Sequence, residues 1–259
     1  MKIKDVVAYL DDRFHPEYQE DYDNAGFLVG CSDAECTGAL VALDLTAAVI
    51  DEAKSLGFNL IVTHHPFIFG GLRTVTDRTE AGRLLIDMVR SGLATYAAHT
   101  NLDNLPDGVN GVLTDKLGLV NCRILKPFSS NENLGAGMVG ELPEATSAEG
   151  FLRLVKERLG LPWIRLSGER PTVKRVAVCG GSGAFLIPDA IRAGADAYLT
   201  ADLKYHDFQR PEGRLLLADI GHYESEQFAK EIISRAISEK FSNFATRISE
   251  CQQSVVHYI

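Results

Sequence analysis

The feature that most constrains this chain is an alternation of short apolar runs with helix-patterned segments. Ala39-Leu-Val-Ala-Leu-Asp44, Asn59-Leu-Ile-Val-Thr63 and Ala94-Thr-Tyr-Ala-Ala98 read as strands. The segments 47–56, 80–91 and 109–117 between and after them read as helices, the first ended by Gly57. Strands without a polar face must be covered on both sides. That occurs when helical crossovers pack on the two faces of a largely parallel sheet. The alternation returns downstream. Arg175–Cys179, Ala197–Thr200 and Arg214–Asp219 read as strands, and Ile187–Ala193, Lys204–Gln209 and Gln227 to about Lys240 as helices. A last strand is expected over Gln253–Tyr258. The second half echoes the first in element order without a residue-level repeat.

The remaining segments depart from this pattern. Ile3, Val6, Val7 and Leu10 fall at helical spacing, so residues 3–14 form an amphipathic helix. An acidic loop, Glu17–Asp23, leads to a short strand between Gly26 and Gly30. From Arg123 to Glu149, Asn, Ser and Gly become frequent, and Gly137–Leu142 reads as an antiparallel or edge strand. Ala148–Leu159 is a helix stopped by Gly160, and Trp163–Leu166 a short strand.

Composition excludes several classes. The 259 residues are 46% apolar and 24% charged, as in ordinary globular proteins, and carry a net charge of −9. An acidic balance argues against a nucleic-acid surface, which needs cations to displace counterions. No apolar run reaches the ~18 residues of a membrane span. The N-terminus has no signal-peptide core, and the cytoplasm is the expected location. Cys31, Cys36, Cys122, Cys179 and Cys251 have no metal-site spacing and read as reduced, mostly packed thiols.

Chemistry-bearing residues collect at the ends of the strands, where open α/β sheets place their sites. Thr63-His64-His65-Pro66 ends one strand, and His99 and Asp103 follow another. Gly221-His222-Tyr-Glu-Ser-Glu226 follows a third and opens a helix, which puts His222 and Glu226 four residues apart on one face. Four of the seven histidines lie at such ends. Adjacent histidines in a strand point to opposite faces. Here the strand has ended, and Pro66 holds His65 extended, so the two rings diverge by a moderate angle and could serve different ions. The plainer reading is a polar turn with one ring packed. His64, His65, Asp103, His222 and Glu226 make five candidate ligands. That is more than one tetrahedral zinc takes, and it suits two ions about 3.5–4 Å apart that share a carboxylate. The donor set admits zinc, manganese or iron.

The motifs Thr63–Pro66, Ala98-His99-Thr-Asn-Leu-Asp103, Thr200-Ala-Asp202-Leu-Lys204-Tyr-His206 and Gly221–Glu226 together resemble the Nif-three-like family, also called GTP cyclohydrolase I type 2 homologues. The resemblance covers essentially the whole chain, in the short bacterial form without an inserted domain. It implies two interleaved three-layer α/β/α lobes with mixed, largely parallel sheets and a metal site in the cleft between them. The lobes are expected at 1–125 plus 220–259 and at 126–219. It also implies that His64 and Asp103 bind one metal and His65 and His222 the other, with Glu226 bridging. A ring-shaped hexamer, a trimer of dimers, and conversion of GTP to dihydroneopterin triphosphate and formate are implied too. The competing expectation is a metal-binding scaffold or metal chaperone without catalysis.

Other residues admit two readings. His99 is a general acid/base or ligand-orienting group, or a core histidine. Asp44 orients a ligand histidine, or caps the helix beginning near Thr46. Gly180-Gly-Ser-Gly183 cradles phosphate with its N–H groups, or makes a tight turn. Arg73, Arg78 and Lys204 are candidate cations for a triphosphate. Tyr205-His206 sits beside a strand end, with a site role or a packing role. Glu224 points away from the His222/Glu226 face, toward solvent.

Overall fold

The computed structural model describes residues 1–251 and 254–257. The chain divides into two compact units, Met1–Leu102 with Ala229–Gln253, and Asp103–Phe228 with Ser254–Ile259.

The first unit is built on β1 (Gly26–Val29), β2 (Ala39–Ala42), β3 (Leu60–Thr63), β4 (Ala94–Ala97) and β11 (Thr246–Ile248), in the order β1-β4-β3-β2-β11. β4, β3, β2 and β11 run parallel, and β1 joins the edge antiparallel, with Gly26 opposite Ala97. Every residue of β2, β3 and β4 is buried, as their apolar runs require. Leu40, Ala42 and Ile61 pack against Val49, Ile50 and Ala53 of α2 (Ala47–Leu56) and Met88 of α3 (Glu80–Arg90). Tyr96 serves the opposite face. Its hydroxyl donates to Asp11 of α1 (Ile3–Phe14) at 3.0 Å. α1 in turn meets α9 (Ala229–Lys240), where the Tyr9 hydroxyl donates to the Ala236 carbonyl at 3.0 Å.

The unit boundary falls in the short helix α4 (Thr100–Asp103). The second sheet contains β5 (Val120–Phe128), β6 (Asn131–Ser147), β7 (Arg165–Ser167), β8 (Thr172–Ser182), β9 (Ala197–Ala201) and β10 (Leu216–Asp219), in the order β5-β6-β8-β9-β10-β7. β8, β9 and β10 are parallel to one another, and the other pairings are antiparallel. Alternate residues face opposite layers. Val176, Val178 and Leu199 join Leu113 and Leu117 of α5 (Val109–Leu117) and Phe151, Val155 and Leu159 of α6 (Ala148–Leu159). Ala177, Cys179 and Tyr198 join Ile187 and Ala190 of α7 (Ile187–Arg192). The last short helix, α8, spans His222–Glu226.

Several expectations are corrected. Residues 103–125 and 220–228 were expected in the first lobe and pack in the second. The cause is apolar: Leu113, Leu117, Ile220 and Phe228 sit in one core with Phe151 and Val176. The helix expected from Gln227 begins at Ala229, because the chain passes from one core to the other after Phe228. Gly137–Leu142 is antiparallel but interior, lying in β6 between β5 and β8. Lys204–Gln209 shrinks to one 3₁₀ turn, Asp207–Gln209. The strand expected over Gln253–Tyr258 falls partly outside the described residues, and 254–257 are not in a strand. All five thiols are free, but only Cys179 is buried. Among the described residues no helix is long and apolar enough to cross a membrane.

Candidate metal centre

In the first unit, strand pairing continues beyond β3. The His64 and His65 N–H groups donate to the carbonyls of Ala42 and Leu43 at 3.2 and 2.9 Å. The Thr63 hydroxyl donates to the His65 carbonyl at 2.7 Å, closing the turn. The two imidazoles are thus fixed from the backbone outward. Their centroids lie 5.0 Å apart with planes inclined 44°, the moderate divergence expected of a histidine pair past its strand end. His99 completes a triangle, 5.3 Å from the His64 ring and 5.5 Å from that of His65. The three residues each offer a ring nitrogen within 4.8 Å of the others.

Each ring is oriented through Nδ1. His64 Nδ1–H donates to the Ala98 carbonyl at 2.7 Å, His65 to Asp44 at 2.6 Å and His99 to Asp23 at 2.7 Å. A neutral imidazole that donates from Nδ1 carries its lone pair on Nε2, which is how metal-ligating histidines are held. Asp44 therefore orients His65. The helix-capping role falls to Thr46, which accepts from the Val49 N–H.

Asp23 was not anticipated from sequence. Besides His99 it accepts the Thr100 N–H at 3.0 Å and the Thr100 hydroxyl. Burial opposes its charge, but hydrogen bonds from His99 and Thr100 outweigh this and bring its carboxyl down to about 2. A depressed carboxyl pKa contributes stability that is complete above the unfolded value and is lost as pH falls through the folded one. Asp23→Asn is expected to cost about 2 kcal/mol near neutral pH and to flatten the loss of stability between about pH 4 and about pH 2. Chemical denaturation across that range checks it. An unchanged acid limb would remove Asp23 from the account.

In the second unit, His222 and Glu226 pair across one turn of α8, Nε2 to Oε2 at 2.8 Å. His222 Nδ1 is held by Asp202 at 2.8 Å, the fourth ring with this orientation. Asp202 has a φ of 56°, the left-handed region an aspartate tolerates better than most residues. Asp219 accepts from the backbones of Leu203 and Gly221 at 3.2 and 3.1 Å, tying the Asp202 loop to the start of α8. Burial opposes charge on His222, but the Glu226 and Asp202 carboxylates prevail and raise its pKa to about 9. Asp103 and Glu226 bring carboxylate oxygens within 4.8 Å of one another. The buried Cys179 thiol is pushed far up by desolvation and then by those two charges.

The glycine segment is neither a phosphate cradle nor a tight turn, because Gly180, Gly181 and Ser182 continue β8. The Gly180 N–H donates to Asn110 and the Gly181 N–H to Ser225, at 2.9 and 3.0 Å. Gly181 has no Cβ because one would stand 2.0 Å from Glu226 Oε1. Glu224, expected in solvent, is only 9% exposed and folds against Gly221. Arg73 and Arg78 lie in the exposed stretch 69–80 of the first unit. Lys204, Tyr205 and His206 are exposed in the second, the last two rings edge to face at 5.3 Å.

A family model described as Duf34/NIF3 (NGG1p interacting factor 3) matches residues 1–254. A Clostridium perfringens protein called GTP cyclohydrolase 1 type 2 homolog is 34% identical over 247 residues, 94% of each chain. A hypothetical protein of Staphylococcus aureus superposes with a TM-score of 0.91 at 29% identity, covering 100% of this chain and 99% of its own. A Bacillus cereus protein related to NIF3 gives 0.94 at 22% identity over 100% and 99% of the two chains, which is a likeness of fold.

Proposed function

The chain belongs to the Duf34/NIF3 family, and on that premise we propose that it is a dinuclear metal-dependent hydrolase. Its proposed ligands are His64, His65, Asp103, His222 and Glu226, with Glu226 shared between two divalent ions of zinc, manganese or iron. The observation that carries this reading is the common orientation of the histidines. His64 and His65 spend Nδ1 on an oxygen acceptor, which leaves Nε2 for a ligand; His222 does so once Nε2 gives up the proton it donates to Glu226, and His99 is held through Nδ1 in the same way. The donors are imidazole and carboxylate without thiolate, and they fit such ions.

When bound, the ions would act as Lewis acids and make water a nucleophile near neutral pH. The protein's own groups do the rest. His99, steadied by Asp23, takes or delivers a proton at Nε2. Asp44 and Asp202 keep His65 and His222 in the tautomer that ligates. Glu226 is 3% exposed, so its charge acts in a poorly screened setting. The curated relatives' name points to GTP as substrate. Hydrolysis at C8 of guanine would open the ring and release formate, and Arg73, Arg78 and Lys204 are the cations proposed for the triphosphate. We also propose that the chain assembles as a ring-shaped hexamer, which light scattering would test.

The decisive experiment loads the protein with zinc, manganese or iron and assays GTP and a panel of phosphoesters. The double variant His65→Ala/Glu226→Ala is expected to lose bound metal and all turnover. His99→Gln should keep the metal and lose ~10²–10⁴-fold in rate, the worth of a positioned acid or base. Turnover that survives the double substitution sinks the mechanism. Stoichiometric metal with no turnover on any substrate would favour the scaffold instead.

A further inference from the structure

Tyr22 and Phe69 form a cluster that metal chemistry does not use. Both rings are large and open, 62% and 50% exposed. Their centroids lie 6.2 Å apart with planes inclined 57°, so they make an angled wall. Phe69 also meets His99 nearly edge-on, with centroids 6.0 Å apart. The wall therefore adjoins the imidazole triangle of the first unit.

Polar anchors hold this wall in place. Tyr22, Asp23 and Asn24 are consecutive. Asp23 accepts from His99, and the Asn24 amide donates at 2.5 Å to the carbonyl of Ile68, the residue before Phe69. One short segment thus registers both aromatic rings against His99. Gly70 and Gly71 follow, the latter at a φ of 77°, and turn the chain away from Phe69. Exposed apolar area gains free energy when covered, and aromatic faces favour a flat partner. The exposed loop beyond carries Arg73 and Arg78 with Asp77, and Tyr22 stands between Asp21 and Asp23, so the wall offers an aromatic face rather than a charged pocket.

We propose that Tyr22 and Phe69 are a binding subsite for a planar aromatic ring, which they hold against the His64, His65 and His99 cluster. The proposal deepens the metal reading and rests on it for the reaction, while ring binding is read separately. The probe pair is guanosine 5′-monophosphate and ribose 5-phosphate, which share the phosphate and differ in the ring. Calorimetric titration into zinc-loaded protein is expected to show at least ~10-fold tighter binding of the nucleotide, the scale of one base–aromatic stack. Phe69→Ala should abolish that preference and Phe69→Tyr restore it, with bound zinc unchanged in both.

Equal affinity for the two probes, binding of neither, or a preference that survives Phe69→Ala together with Tyr22→Ala would overturn the subsite. An altered oligomeric state in Phe69→Ala with nucleotide binding intact would also overturn it and assign the wall to contact between copies of the chain. Zinc content separates the two readings. A wild type that holds no zinc yet prefers the nucleotide, losing this with Phe69→Ala, supports the subsite and sinks the metal centre.

Discussion

Gly181→Ala is expected to destabilise the protein by about 2–4 kcal/mol and to cost it bound metal. Two effects add. Gly181 has a φ of 59°, where a side chain strains the backbone by about 1 kcal/mol. The new methyl would also stand 2.0 Å from Glu226 Oε1 and 3.3 Å from His222 Cε1, and overpacking of this kind costs about 1–3 kcal/mol. The backbone cannot drift aside, since the Gly181 N–H is bonded to Ser225 and its carbonyl accepts from Thr200, both at 3.0 Å. Relief must come from Glu226 swinging out, which breaks its 2.8 Å contact with His222. Gly57→Ala is the control. It has a similar φ of 70° with nothing within 4 Å of the added carbon, so it carries only the conformational cost. In a chain of this size each kcal/mol lowers Tm by ~2–4 °C. Thermal unfolding and zinc content of the two variants decide it. Equal Tm losses with zinc retained in both would mean that Gly181 is not a glycine for the sake of Glu226.

What could be read before the fold was seen, and what could not, divides along physical lines. Strands β2, β3 and β4 announced themselves because burial on both faces removes polar residues from consecutive positions. The histidines stood out because strand ends are identifiable and imidazoles are few. Their orienting partners were mostly hidden. Asp23 meets His99 across 76 residues, and Asp202 meets His222 across 20. No local periodicity encodes such a contact. Asp44 was legible only because it follows the end of β2, beside the strand that His65 follows. Gly181 looked like a turn glycine, since a missing Cβ does not say which neighbour requires it. Glu224 misled for a related reason. Helical spacing places a residue on a face, but Gly221 leaves room on that face for the carboxylate to fold inward and be buried. The unit boundaries moved because Leu113 and Phe228 chose their core by packing, which element order does not record.

Metal binding is expected to release a proton and to tighten about tenfold per pH unit between about pH 7 and about pH 9. The cause is His222. In the metal-free protein burial works against its charge, but Glu226 and Asp202 win and hold its pKa up at about 9. Near neutral pH the ring is therefore an imidazolium, with Nε2–H donating to Glu226 and Nδ1–H to Asp202. Nε2 must lose its proton before it can ligate. A histidine whose folded pKa is raised stabilises the protein fully below the unfolded value of 6.5 and loses that contribution as pH rises through about 9. Metal-free protein should accordingly lose stability toward alkaline pH. Zinc-loaded protein should not, because binding replaces the proton and adds ~3 kcal/mol at a hundredfold excess over Kd. Zinc titrations in two buffers of different ionisation enthalpy count the proton directly. His222→Gln should remove it and flatten the pH dependence. Binding without proton release in the wild type would show that His222 is neutral in the metal-free state, and that the Glu226 pairing is weaker than its geometry implies.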